Sequence, residues 1–389
     1  MVVFGLAIAL AVAEIVVRVL YPPMEVEVSR VDYTRDAGKI KSFGKLGADE
    51  IDGYPDQALY IMTPAGKRML PNSVVKIRHH ALSGRDITIR VNSFGFRGPE
   101  IPETKTRSRI LFLGDSVTFG DFMAEEETFV HLVGAKLGRD DFDVDTINAG
   151  VGSIGMENEL AILLDTGFAA EPDVVVLDFY LNDAEPSPGV WIARPPAWLR
   201  WSALAGLVYS TVSKVDGKKG DFATGAEFER WKTEMEGRFA KEADRSRDSR
   251  VFRAKALSSF RDWGSAWSRD AWSERLEPCL KAFKKACDAR GVAFVVVCFP
   301  VRAQVEAEAP HDFPQKTMGG LCGELGIPYL DLLPKLREMF KSGGGKVFYD
   351  QCHPTPRTAA SIADWITEFL ERTEAERLRR KASGKETRK

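Results

Sequence analysis

The sequence is short of cysteine and shows no pattern in the few it has. Five occur in 389 residues, at Cys279, Cys287, Cys298, Cys322 and Cys352, and none forms a Cys-x-x-Cys pair. That spacing supports neither a zinc motif nor a disulfide framework. An odd count leaves at least one thiol free unless chains cross-link, so the redox compartment stays open; a Cys322–Cys352 bridge would need a proximity that sequence does not establish. Cys298 lies in the apolar run 294–299 and reads as a small buried hydrophobe. Charge of one sign is lacking too. The formal net charge is −2 and no basic stripe interleaves with aromatics, which excludes a nucleic-acid partner. Histidine is scarce, at five. No cluster has metal-ligand spacing, so neither metal nor cofactor is expected. What is present is material for a core: 44% of residues are hydrophobic, ordinary for a globular chain. The length permits two domains, or one domain with appendages.

The longest apolar run opens the chain. Met1–Ala13 is apolar apart from Gly5, and Ile15–Val17 continues it after Glu14. Thirteen residues fall short of the ~20 that span a bilayer as a helix. Counting on to Tyr21 supplies the length and places Glu14 and Arg18, four apart, where they can pair at the interface. Pro22-Pro23 then ends the helix. The expectation is a membrane anchor. A cleaved signal peptide, with Ala11-Val12-Ala13 as its small-residue site, and a buried core helix are the alternatives. Either of the first two puts the rest of the chain outside the cytoplasm, periplasmic or extracellular.

Residues 24–104 mix charges with short alternating runs. Val74–Ile77 and Ile87–Val91 read as strands, and Asn92–Pro99 is dense in turn residues. This is the composition of a small β-rich appendage. His79 and His80 are adjacent, would face opposite ways on a strand, and read as surface residues.

From residue 105 the pattern changes. Apolar runs at Ile110–Leu113, Val144–Ile147 and Val174–Phe179 alternate with helical stretches near Thr128–Leu137 and Glu157–Leu164. Strand–helix alternation with short connections argues a parallel sheet with helices on both faces. Prolines 186, 188, 195 and 196 then break the pattern, and an insertion follows to residue 275. Its tryptophans, Trp263, Trp267 and Trp272 among them, read as packing against the core or as lining a groove. The alternation resumes with a helix at Leu276–Ala286, the very apolar strand Phe294–Phe299, a helix at Met318–Leu325, a short strand at Pro328–Leu332 and a helix at Thr358–Leu370. The remainder, Arg372–Lys389, is a charged tail.

The strands end in polar or small residues. Gly114-Asp115-Ser116 follows the first, Asn148-Ala149-Gly150-Val151-Gly152-Ser153 the second, and Leu181-Asn182-Asp183 the third. In a parallel sheet these ends share one edge, where α/β folds hold ligands. A serine there, just before a helix, has the setting of a nucleophile beside free N–H groups. Its hydroxyl needs a base, normally imidazole. Of the five histidines His353 has the fitting position, a polar turn before a helix, and Asp350 lies three residues earlier, close enough to orient the ring.

These residues resemble the SGNH (GDSL-like) hydrolases, which carry four ordered blocks. Gly114-Asp115-Ser116 matches the first and implies Ser116 as nucleophile. Asn182, in the third, implies a side-chain amide donated to the oxyanion, and Asp350-Gln351-Cys352-His353 matches the last and implies the other triad members. The second block supplies a backbone N–H, which falls here on Gly152 or Ser153. The implied oxyanion hole is therefore Ser116, Gly152, Ser153 and Asn182. Tyr180 replaces the glycine opening the third block, and Ser153 stands for that of the second. A backbone N–H serves from any residue but proline, so neither change removes a needed group. The resemblance spans roughly residues 105–185 and 276–372 and implies a three-layer α/β sandwich of flavodoxin-like type. The Asn92–Pro99 segment looks like one found ahead of membrane-anchored members.

The expected division is 1–23 anchor or signal, 24–104 β-rich appendage, 105–372 hydrolase domain with an insertion at 186–275, and 373–389 tail. The implied activity is a serine esterase acting on short-chain or acetyl esters, with an ester or acylated carbohydrate as substrate. A sugar hydroxyl in place of water would make it an O-acyltransferase, and an idle triad would leave a non-catalytic, anchored glycan-binding or scaffold protein.

Overall fold

The computed structural model describes residues 2–20, 60–185 and 264–379, apart from 64–65, 78–82, 84, 86, 141 and 309. The readings of His79, His80 and Trp263, of most of the insertion, and of the tail past residue 379 lie outside the described residues.

Helix α1 (Val2–Leu20) forms over the expected apolar segment, with Ile8, Leu10, Val12, Ile15 and Val16 exposed. No helix among the described residues is long and apolar enough to cross a membrane. The spanning anchor is therefore not supported. Glu14 and Arg18 interrupt the run and leave thirteen continuous residues, below the ~20 required.

Two antiparallel hairpins follow: β1 (Tyr60–Thr63) with β2 (Gly66–Met69), and β3 (Ser73–Ile77) with β4 (Ile87–Val91). Met69, Ile87, Ile89, Val91 and Phe96 belong to the same apolar core as the main sheet. Bridges from Val91 to Arg97 and from Arg97 to Asn148 tie this segment to the sheet edge.

The main sheet has five parallel strands in the order β6 (Val144–Asn148), β5 (Ser108–Gly114), β7 (Val174–Tyr180), β8 (Ala293–Phe299) and β9 (Tyr329–Asp331). Strands β7 and β8 read Val-Val-Val-Leu-Asp-Phe-Tyr and Ala-Phe-Val-Val-Val-Cys-Phe and are buried along their whole length. Such continuous apolar runs mark strands covered on both faces. Edge strand β6 is only partly buried at Asp145 and Thr146. From β5 the chain moves outward to β6, then crosses back to β7 on the other side. The direction of winding reverses between β5 and β7, which opens a crevice at their C-terminal ends.

The helices cover the sheet as the apolar periodicity requires. Thr128 caps helix α3 (Phe129–Leu137) by accepting from the His131 N–H at 3.3 Å, and the C-terminal helix packs along it. That helix runs from Pro356 to Arg379, past the expected end at Leu370. Leu378 is buried and its carbonyl accepts from Ser108 Oγ at 3.1 Å, which anchors the first part of the charged tail. Trp267 and Trp272 are buried in the core, with the Trp272 ring 5.7 Å from Phe179. For these two the packing reading holds, and with Ala266 they belong to the domain's apolar core.

Candidate active site

The turn that carries Ser116 is built from close contacts that dictate its residues. Strand β5 ends at Gly114, where a Cβ would stand 2.2 Å from Thr118 Oγ1 and 3.0 Å from the Asp178 carbonyl. Asp115 then caps the single-turn helix α2 (Ser116–Phe119): its Oδ1 accepts from the Val117 N–H at 2.8 Å. Ser116 is thereby held at the first helical position, 5% exposed.

His353 reaches the serine from the far side of the crevice. Its Nε2 lies 2.9 Å from Ser116 Oγ, and its Nδ1 lies 2.7 Å from Asp350 Oδ2. The other Asp350 oxygen accepts from the backbone N–H groups of Cys352 at 3.0 Å and His353 at 2.9 Å. One carboxylate thus folds its own turn and orients the ring. Phe122 packs edge-on against the imidazole, centroids 4.5 Å apart. Asp121 Oδ2 stands 3.9 Å from Nε2. Burial works against an imidazolium here, but the Asp350 carboxylate outweighs it and holds His353 well above its usual value.

The second-block loop lies against the same turn. Asn148 Nδ2 donates to the Thr118 carbonyl at 2.8 Å and Asn148 Oδ1 accepts from the Gly150 N–H at 3.0 Å. The Val151 N–H donates to the Gly114 carbonyl at 3.1 Å, which brings the loop alongside the strand end before Ser116. Gly150 permits the approach, since a Cβ there would sit 2.4 Å from the Phe119 nitrogen. Gly152 is buried, and Ser153 is exposed with φ of 55°. At the end of β7, the Asn182 side chain lies near the Asp115 carboxyl and works against the rise of its pKa.

Beneath these groups lies an unusual store of buried acid. Burial pushes Asp115 up despite the Val117 N–H, and pushes Asp178 well up despite the hydroxyl of Thr118, 3.0 Å away. Burial, reinforced by the charge of Asp115, likewise holds Glu159 well above the carboxylate range, and burial beside Glu159 does the same for Asp183. Asp183 Oδ2 accepts from the Tyr180 N–H at 2.7 Å, fixing the turn that carries Asn182.

The structure brings Ser116, Asp350 and His353 into one hydrogen-bonded chain. It sets Asn182 against the same turn, and the Gly152–Ser153 loop beside β5. Sequence reading passed over Lys67, Arg97, Asp121 and Phe122, whose contacts with these loops cross long stretches of chain. The Asn92–Pro99 segment containing Arg97 was the one visible signal. All five cysteines are free and buried, so Cys322 and Cys352 are not bridged. Among the described residues, metal-capable side chains converge at Asp350, Cys352 and His353, with ligand atoms within 4.8 Å of one another. A metal there would displace the Asp350–His353 hydrogen bond.

No protein-family model and no curated protein matches the chain. Solved structures do. An acetyl xylan esterase shares 13% identity over 67% of this chain and 98% of its own, with a TM-score of 0.37. Axe2, an acetylxylan esterase from Geobacillus stearothermophilus, shares 13% over 69% and 96%, at 0.39. A lipolytic protein of the G-D-S-L family from Desulfitobacterium hafniense shares 11% over 68% and 100%, at 0.36. The chain is thus similar to two solved acetyl xylan esterases and to a lipolytic protein of the G-D-S-L family.

Proposed function

We propose that the protein is a serine esterase that hydrolyses short-chain or acetyl carboxylic esters, carried by a carbohydrate, through an acyl-enzyme. The observation that supports it most is the unbroken chain from Ser116 Oγ through His353 to Asp350, at 2.9 and 2.7 Å. In this reading Ser116 Oγ attacks the ester carbonyl while His353 Nε2 takes its proton. In the same reading the Ser116 N–H, the Gly152–Ser153 backbone and the Asn182 amide stabilise the oxyanion. The C–O bond then breaks, the alcohol leaves with the proton from His353, and water enters by the reverse sequence to release the acid.

The first test is hydrolysis of p-nitrophenyl acetate and of longer esters by the full chain, beside Ser116→Ala. Activity on acetate that disappears in the variant is expected, together with stoichiometric capture of a phosphonate by the wild type alone. Acetylated xylan and mannan oligosaccharides come next, as the esters named for the structural neighbours. Phosphonate capture without hydrolysis would favour the acyltransferase, with an acceptor other than water. Neither capture nor hydrolysis would refute the enzyme and favour a binding protein.

We also propose that the domain works outside the cytoplasm. The exposed apolar side chains of α1 support this, since a segment of that kind suits an export signal. Fractionation of cells expressing the full chain, beside one lacking residues 2–20, tests it; equal cytoplasmic recovery of both would overturn it.

A further inference from the structure

We propose that Lys67, on the N-terminal hairpin, is a positioning residue for the oxyanion hole, acting through the Gly152–Ser153 peptide. This rests on the esterase reading of the site. Lys67 is 6% exposed, and its ammonium donates to the Gly152 carbonyl at 2.5 Å. That oxygen belongs to the same peptide unit as the Ser153 N–H. In a planar trans peptide the two bonds point in opposite directions, so a cation holding the oxygen from behind turns the N–H toward the opposite side. It also polarises the unit, because a carbonyl already accepting from a charged donor leaves its N–H a stronger donor.

The loop has need of such a hold. Ser153 sits at φ of 55°, a region disfavoured for a residue with a Cβ. Lys67 is in turn fixed on both sides. Its backbone N–H donates to Asn158 Oδ1 at 2.8 Å, and its carbonyl accepts from Asn158 Nδ2 at 3.0 Å. Asn158 is fully buried near the start of helix α4 (Met156–Ile162), and the Tyr60 ring lies 4.1 Å from the ammonium. Strand β2 is thereby wedged between the second-block loop and α4. A segment outside the sheet thus supplies a charge to the back of the Gly152–Ser153 peptide.

The experiment compares wild type, Lys67→Met and Lys67→Gln on an oxygen ester and on the matching thionoester. Sulfur accepts hydrogen bonds weakly, so the thionoester draws little from an oxyanion hole. Removing a whole oxyanion donor costs ~10²–10³ in turnover, and weakening one is expected to cost about 10-fold. Lys67→Met should lower kcat on the oxygen ester by about that factor, leave KM nearly unchanged, and shrink the oxygen-to-thiono rate ratio in proportion. Lys67→Gln, which keeps a neutral donor, should fall between and serves if the Met variant does not fold. Equal losses on both esters would reduce Lys67 to a structural role and overturn the proposal, as would wild-type kinetics in either variant. A wild type that neither turns over esters nor captures phosphonate would instead overturn the esterase reading, and this proposal with it.

Discussion

Asp350 serves two structures with one side chain. Its Oδ1 collects the N–H groups that close the turn, and its Oδ2 holds His353 Nδ1, so the tautomer that leaves Nε2 free to accept is set by backbone geometry. The same carboxylate keeps the imidazolium favoured against its burial. A general base must be neutral to act. Ester hydrolysis is therefore expected to climb with pH beyond the ~6.5 of an ordinary histidine before it levels off. In Asp350→Asn the charge is gone and burial remains, so the rising limb should move to lower pH while the plateau falls about 10⁴-fold. A pH profile of kcat/KM for both proteins checks the two shifts together. Cys352 does not compete for this chemistry, since burial pushes its thiol up to about 12 and keeps it neutral.

The site loops are held by short elements that come early in the chain. Arg97, in the turn after β4, is buried and donates to the carbonyls of Phe119 at 2.6 Å, Gly120 at 2.8 Å and Met123 at 2.7 Å. It pins the segment that carries Asp121 and Phe122 to His353. Burial lowers its guanidinium to about 10, though Asp121 and Glu125 oppose the shift, so it stays charged at neutral pH. Arg97→Met would leave three inward carbonyls without their donor. Since a hydrogen bond to a charged group is worth ~1.5–3 kcal/mol, a loss of about 3 kcal/mol is a conservative expectation. A lower urea midpoint with an unchanged slope would show it, and an unchanged midpoint would refute the role.

At the scale of the whole molecule, the concentration of buried acids gives stability a direction with pH. Asp115, Asp178, Asp183, Glu159 and His353 all have folded values raised above their ordinary ones. The folded protein then binds more protons than the unfolded chain, and stability falls as pH rises. For each group the favourable contribution is complete below its unfolded value and is lost as pH passes the folded one. Thermal midpoints should fall as pH rises past the ordinary values of about 4 for carboxylates and about 6.5 for histidine. A midpoint that rose instead would contradict the assignment. The opposition to the climb in hydrolysis has a physical origin: the crevice excludes water, which sharpens each interaction with a reacting ester and also penalises every charge kept there.

How much of this was legible in the sequence depends on how far apart the interacting residues are. Strands β5 to β8 could be read because each is a short apolar run stopped by turn residues, and the parallel alternation followed from the helices between them. Ser116, Asp350 and His353 stood out as polar residues in turns at a strand end or helix start, and Asn182 through the resemblance to the SGNH hydrolases; that Ser116 and His353 meet, 237 residues apart, belongs to the tertiary fold. Helix ends were less so: the last helix continues to Arg379 because Leu378 finds a buried seat that no local periodicity announces. The buttresses could not be read at all. Lys67 meets a carbonyl 85 residues on, Arg97 meets one 22 residues on, and neither is marked by its neighbours. Local pattern determined the strands and the polar residues at their ends, because it acts through backbone sterics and apolar periodicity. Which cations stand behind those groups was decided only by tertiary packing, because a buried charge persists only where hydrogen-bond acceptors or counter-charges, here from distant parts of the chain, receive it.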